Sequence, residues 1–163
     1  MQPSVNDIYL WLEDVKDPEI PVLSLVDLGV VTRVLVLADK VEIEMTPTFV
    51  GCPALDIMKN EVRETLHKKG IKNVNVEISF REPWSSAKIS EKGKDALKKF
   101  GLAPPPSGTL ISDLDLLDKL EQATCPRCNS SHTEIKSPFG PTLCRSIHFC
   151  HDCQETFEQF KPV

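Results

Sequence analysis

The chain has 163 residues, enough for one ordinary domain or for a modest core joined to a metal-stapled module. It is 40% hydrophobic and 26% charged, with a net charge of −5 and no apolar run approaching a membrane span, which excludes a membrane-embedded role. Residues 1–100 carry a net −2, residues 101–124 a net −3, and residues 125–163 are neutral, so no segment clusters the Lys and Arg that a phosphate backbone requires and nucleic acid is not an expected partner.

The opening MQPSVNDIYLWLED carries acids and lacks the basic start and apolar stretch of a signal peptide, so a cytoplasmic location is expected. Ser4 reads as an N-cap, and Val5, Ile8, Tyr9, Leu12 and Val15 recur at helical spacing. The helix must stop before Asp17 to Pro21, where two prolines in four residues forbid its continuation. Val26 to Leu37, rich in β-branched residues, predicts a strand entered through Asp27-Leu28-Gly29. Ala38-Asp39-Lys40 turns the chain, and Val41, Ile43 and Met45 then alternate with polar residues as a strand with one wet face.

After the loop TPTFVG, Cys52-Pro53 is expected to open a second helix, because proline suits a first helical position. Leu55, Met58, Val62 and Leu66 line its apolar stripe, and Gly70 ends it. Val74, Val76, Ile78 and Phe80 make a third alternating strand. The order helix, strand, strand, helix, strand defines an α+β domain with helices on one sheet face. Ser90 caps a short helix to about Phe100, and the proline-rich Gly101 to Gly108 reads as a linker. Leu110 to Leu120 is an apolar and acidic stretch, a further helix or a docking segment. The expected division is 1–103 for the first domain, 104–124 for the linker and acidic segment, and 125–163 for a ribbon.

Five of the six cysteines fall in the last 39 residues. Cys125-Pro-Arg-Cys128 and Cys150-His-Asp-Cys153 are two tight knuckles separated by 21 residues, and four thiolates at that spacing suit a tetrahedral structural zinc. Two unrelated redox or buried pairs is the bland alternative, and the same ligands would also accept an iron–sulfur cluster. His132 to Ser137 and Thr142 to Phe149 would form the two strands between the knuckles, with Phe157 and Phe160 over the small core. His132, His148 and His151 are expected on the surface, since four thiolates complete the site. Cys144 reads as a small buried residue of the return strand, its role left open.

Cys52 is a different kind of candidate. At the start of a helix, backbone N–H groups and the helix dipole would lower its pKa, although a cysteine there is often only a packed residue. Thr46 and Thr48 offer hydroxyls, Gly51 permits close approach of a ligand, and Asp17 and Glu19 add carboxylates if the fold brings them alongside.

DPEIP, DLGVV, TPTFVGCPA, PWSSAKIS and CPRC…CHDC together resemble the PaaD family of phenylacetyl-CoA epoxidase accessory components, over nearly the whole chain. Residues 1–103 are similar to the wider group of SufT-like iron–sulfur assembly domains, and the tail, with SPFGPTLC, to the PaaD zinc ribbon. The resemblance implies a cytoplasmic, non-catalytic factor in phenylacetate breakdown that serves the oxygenase and reductase components of the epoxidase. It implies a structural zinc on Cys125, Cys128, Cys150 and Cys153. It also implies transient handling of iron or a cluster at Cys52, with Asp17, Glu19 and Thr48 beside it. The alternative is a structural subunit of the oxygenase complex that contributes no chemistry, and homo-oligomer formation is left open. The sequence departs from the family at Ala87-Lys88, where acidic and aromatic residues are usual.

Overall fold

The computed structural model describes residues 3–107 and 113–163, which divide into two compact units, Met1–Trp84 and Ser85–Val163. The stretch Leu110 to Ser112, the start of the apolar and acidic segment, lies outside the described residues. Among the described residues no helix is long and apolar enough to cross a membrane.

The first unit has the predicted α+β order. Helix α1 (Val5–Leu12) begins in a reciprocal cap: Asp7 N–H donates to Ser4 Oγ at 3.2 Å, and Ser4 N–H donates to the Asp7 carboxylate at 2.8 Å. Ile8 and Leu12 are its buried pair. Strand β1 (Val31–Val36) runs antiparallel to β2 (Val41–Met45), and β2 runs parallel to β3 (Val74–Ile78), in the sheet order β1-β2-β3. The parallel pair needs a crossover, which α2 (Leu55–Lys68) supplies. α1 packs on β1, α2 on β3, and the helices on each other. Their shared core contains Leu12, Val34, Val41, Ile43, Met45, Met58, Val62, Leu66 and Val76, all buried. Leu66→Ala should therefore cost about 2–5 kcal/mol, read as a lower urea midpoint for this unit at unchanged slope.

Two element starts in this unit differ from expectation. Residues 26–29 are turn instead of strand: Ser24 Oγ accepts the Asp27 N–H at 2.9 Å, Leu28 N–H closes on the Ser24 carbonyl, and Gly29 takes φ 74°. The Leu28 carbonyl is then claimed by the Trp84 indole N–H at 3.0 Å. α2 likewise starts at Leu55, with Ala54 at its N-cap and no side-chain cap, so Cys52 and Pro53 lie in a turn ahead of the helix. The C-terminal stop is as read, with Gly70 at φ 92° and its N–H on the His67 carbonyl.

The second unit contains more sheet than the sequence suggested. Helix α3 (Glu91–Phe100) is capped by Ser90, whose Oγ accepts the Gly93 N–H at 2.9 Å, and ends at Gly101 with φ 93°. Strand β4 (Leu102–Ala103) follows at once, then helix α4 (Asp113–Glu121), β5 (Thr133–Ser137), β6 (Arg145–Cys150) and β7 (Thr156–Phe160). The sheet order is β4-β7-β6-β5, with β4 parallel to β7 and the other pairs antiparallel. The boundary between the compact units thus falls between Trp84 and Ser85, not after Ala103. Leu102 and Ala103 are buried and pair with Glu158 and Gln159, which fixes α3 and β4 in the ribbon's unit.

Candidate functional site

Each knuckle of the ribbon is built by a backbone reversal just after its second cysteine. Asn129 and Gln154, one residue past Cys128 and Cys153, are the two non-glycine residues with positive φ among the described residues, at 61° and 59°. The turns are closed by Asn129 N–H to the Cys125 carbonyl at 3.0 Å and by Cys150 N–H to the Glu155 carbonyl at 2.9 Å. β5 and β6 carry the second knuckle back to the first, with Thr133 opposite Cys150. Ala103, Ala123 and Phe157 pack with Cys125 and Cys150 in a buried cluster that Cys153 also touches.

This frame gathers the sulfurs of Cys125, Cys128, Cys150 and Cys153 within 4.8 Å of one another. Cys125 and Cys153 sulfurs are 3.7 Å apart, and those of Cys128 and Cys150 3.5 Å. A tetrahedron of thiolates at a zinc–sulfur distance of about 2.3 Å has edges of about 3.8 Å, whereas a disulfide needs about 2.0 Å. The donor set fits a metal ion and not paired disulfides. N–H bonds from Cys153 and Asp152 draw the Cys150 thiol down to about 6, while burial and the adjoining Cys150 push Cys153 up to about 12. Four thiols this close cannot all ionise without a cation among them. Among the described residues this is the one cluster of three or more metal-binding side chains.

The histidines divide differently from expectation. His132 and His151 are on the surface, with ring centroids 4.7 Å apart, and lie against Asp152 at 3.1 Å and Glu134 at 2.9 Å respectively. His148 is fully buried on β6, stacked on Phe157, with Nε2 2.9 Å from Ser146 Oγ. Burial lowers its pKa to about 4, so it sits there as a neutral ring. Strict alternation along β6, in which Ser146, His148 and Cys150 share the inner face, was the signal for this. Cys144 precedes β6 in a turn, half-buried, with its sulfur 3.1 Å from Thr142 Oγ1.

In the first unit, the loop between β2 and α2 carries Cys52 half-buried next to Gly51, whose φ of 81° belongs to the left-handed region. The structure brings Asp17 and Glu19 into electrostatic reach of this thiol. Burial is the largest influence and pushes its pKa up; the Ala54 N–H comes next and draws it down, Glu19 and then Asp17 push it up again by less, and the Leu55 N–H opposes them least. This corrects the expectation of an activated thiolate: the backbone donors are present, but desolvation outweighs them. Asp17 also has a structural duty, since its Oδ1 accepts the N–H groups of Glu19 at 2.8 Å and Ile20 at 3.0 Å. Thr48 is half-buried in the same loop, whereas Thr46 is buried, with its Oγ1 3.4 Å from Thr32 Oγ1.

The chain thus joins an α+β domain with a half-buried thiol ahead of its second helix to a β-ribbon around four clustered thiols. The family model for "Iron-sulfur cluster assembly protein" matches residues 6–78, and that for "PaaD zinc beta ribbon domain" matches residues 112–161. A relative from Escherichia coli, a putative subunit of 1,2-phenylacetyl-CoA epoxidase, is 33% identical over 99% of this chain and 94% of its own. An "Fe-S protein maturation auxiliary factor" of Porphyromonas gingivalis is 40% identical over 53% of this chain and 84% of its own. Among solved structures, a domain of unknown function from Bacillus anthracis aligns with a TM-score of 0.53 and 32% identity, covering 56% of this chain and 89% of that one. The chain belongs to the PaaD family.

Proposed function

We propose that this protein is an accessory factor that matures a metal centre of the phenylacetyl-CoA epoxidase system, handling iron or an iron–sulfur cofactor destined for the oxygenase or its reductase. The observation that carries the reading is a half-buried thiol within electrostatic reach of two carboxylates in a domain of the iron–sulfur assembly type. Glu19 and Asp17 oppose ionisation of Cys52 in the absence of a cation, and the same charges favour a cation that replaces its proton. Cys52 thus stays protonated at rest and becomes a ligand when iron arrives. A Cβ built at the adjacent Gly51 would meet nothing within 4 Å, so the loop is open there. The chain performs no catalysis of its own in this reading.

The ribbon's four thiolates would hold a resident zinc, which supplies folding free energy and no reaction step. A second reading, a structural component that stays in the oxygenase complex, is favoured by the Escherichia coli relative, which is named as part of that epoxidase. Deleting the gene in its host and measuring iron occupancy of both oxygenase and reductase separates the two. Under-metallated partners support maturation; full metallation with a lost or unstable complex supports the structural role. With a net charge of −5 and a neutral ribbon, the protein should not shift duplex DNA at physiological salt, as a gel-shift titration would check.

A further inference from the structure

The segments that carry Cys52 and the carboxylates in its electrostatic reach also carry exposed aliphatic side chains. Val50, two residues before the thiol, is 82% exposed, and Ile57, in the first turn of α2, is 52% exposed. Val22 lies in the turn that follows Asp17 and is 43% exposed; the Asp17 N–H, bonded to the Leu23 carbonyl, closes that turn. Single exposed aliphatics are ordinary; these three fall on the turn that carries Asp17, the loop that carries Cys52 and the helix start that follows it, and polar-rimmed apolar patches mark contact surfaces.

The charges on those segments have one sign. Asp17 and Glu19 lie on the turn, and Asp56 lies in the first turn of α2. Of the cations flanking these segments in sequence, Lys16 directs its Nζ to the Glu13 carbonyl at 2.7 Å, and α2 has no basic residue before Lys59.

We infer that Val22, Val50 and Ile57 form a docking surface for a client segment that is both apolar and basic, seated on the aliphatic side chains and oriented by Glu19 and Asp56. This rests on the maturation reading for the identity of the client, but not on any transfer step. Apolar contact would exclude water from the loop that carries the thiol while a basic client segment meets the acidic rim. Complementary charge adds on-rate and register, and the aliphatic contacts set the lifetime of the complex.

The test uses the full chain with purified reductase and purified oxygenase as probes. Val50→Glu combined with Ile57→Glu should weaken binding to one of them by about tenfold or more, with zinc content and melting unchanged. Asp56→Lys should weaken it less and reduce its salt dependence. A photoreactive residue at position 50 should mark a client segment rich in Lys or Arg and aliphatics. Unaltered binding by the double variant, a label on an acidic segment, or wild-type binding to neither component would overturn the inference. Cys52→Ala keeps the two questions apart. If it binds normally and also delivers cofactor normally, the transfer reading fails while the docking surface stands; if it delivers nothing while Val50→Glu/Ile57→Glu binds and delivers normally, the docking surface fails and the transfer reading stands.

Discussion

Cys150→Ser is expected to unfold the ribbon's unit outright while the unit Met1–Trp84 melts as it does in the parent. A structural zinc on four thiolates contributes on the order of 10–16 kcal/mol at neutral pH, as much as the whole stability of an ordinary domain. Cys150 is fully buried and sits at the end of β6 opposite Thr133, so losing its thiolate removes the metal and leaves a hydroxyl in an apolar cluster. Chelation of the wild-type protein should give the same end state. Because Leu102 and Ala103 pair with β7, the loss should reach back through α3, with amide protection vanishing from Glu91 onward and persisting in α2 and β3. One zinc per chain by elemental analysis is the companion result. A metal-free variant that still shows a protected β6–β7 pairing, or a coloured protein with stoichiometric iron and sulfide, would overturn the assignment.

The second large effect concerns Cys52. Cys52→Ala should leave folding and zinc content unchanged, because the side chain is only half-buried and lies outside α2. The same change should cut phenylacetyl-CoA epoxidation in cells several-fold through under-metallated partners. Supplying fully metallated oxygenase and reductase should then restore turnover without this protein. The thiol itself should alkylate more slowly than a free cysteine at neutral pH. Its pKa is raised by burial and by Glu19 and Asp17, so its thiolate forms only as pH climbs past the ordinary thiol range. Glu19→Gln, by removing one opposing charge, should move the alkylation profile to lower pH. A Cys52 that reacts faster than a free thiol, or an alanine variant with full activity in the deletion strain, would count against the proposed role.

Much of this architecture was legible in the sequence because the signals were local. The cap at Ser4, the alternation of Val41, Ile43 and Met45, the stop at Gly70 and the two cysteine knuckles each depend on neighbours within a few residues. What was missed depends on partners far along the chain. Val26 and Leu28 suit a strand, but Asp27 and Gly29 fit the turn that Ser24 closes locally, and no pattern within 26–29 reveals the partner at position 84 that takes the Leu28 carbonyl. β4 is two residues long and exists only because β7 offers an edge. β7 itself reads TFEQF, where buried Gln159 interrupts the apolar alternation that would have announced a strand. At the candidate site, the proximity of Asp17 and Glu19 to Cys52 was posed as a condition of folding, and the fold brings both carboxylates within electrostatic reach of the thiol. The sign of the pKa shift was not readable, because it turns on how deeply the loop sinks relative to the start of α2.

Ser86 meets Val163 directly: its backbone N–H donates to the Val163 carbonyl at 2.8 Å, and its Oγ accepts the Val163 N–H at 3.3 Å. The ribbon's unit is therefore a closed parcel whose incoming and outgoing strings are tied in one knot. Anyone grafting it onto another protein would have to take residues 85–103 along with the cysteines, since cutting at the prolines would tear away β4. Cut before Ser85, however, the parcel should tolerate insertion into a surface loop of a host, because its two ends leave from the same point.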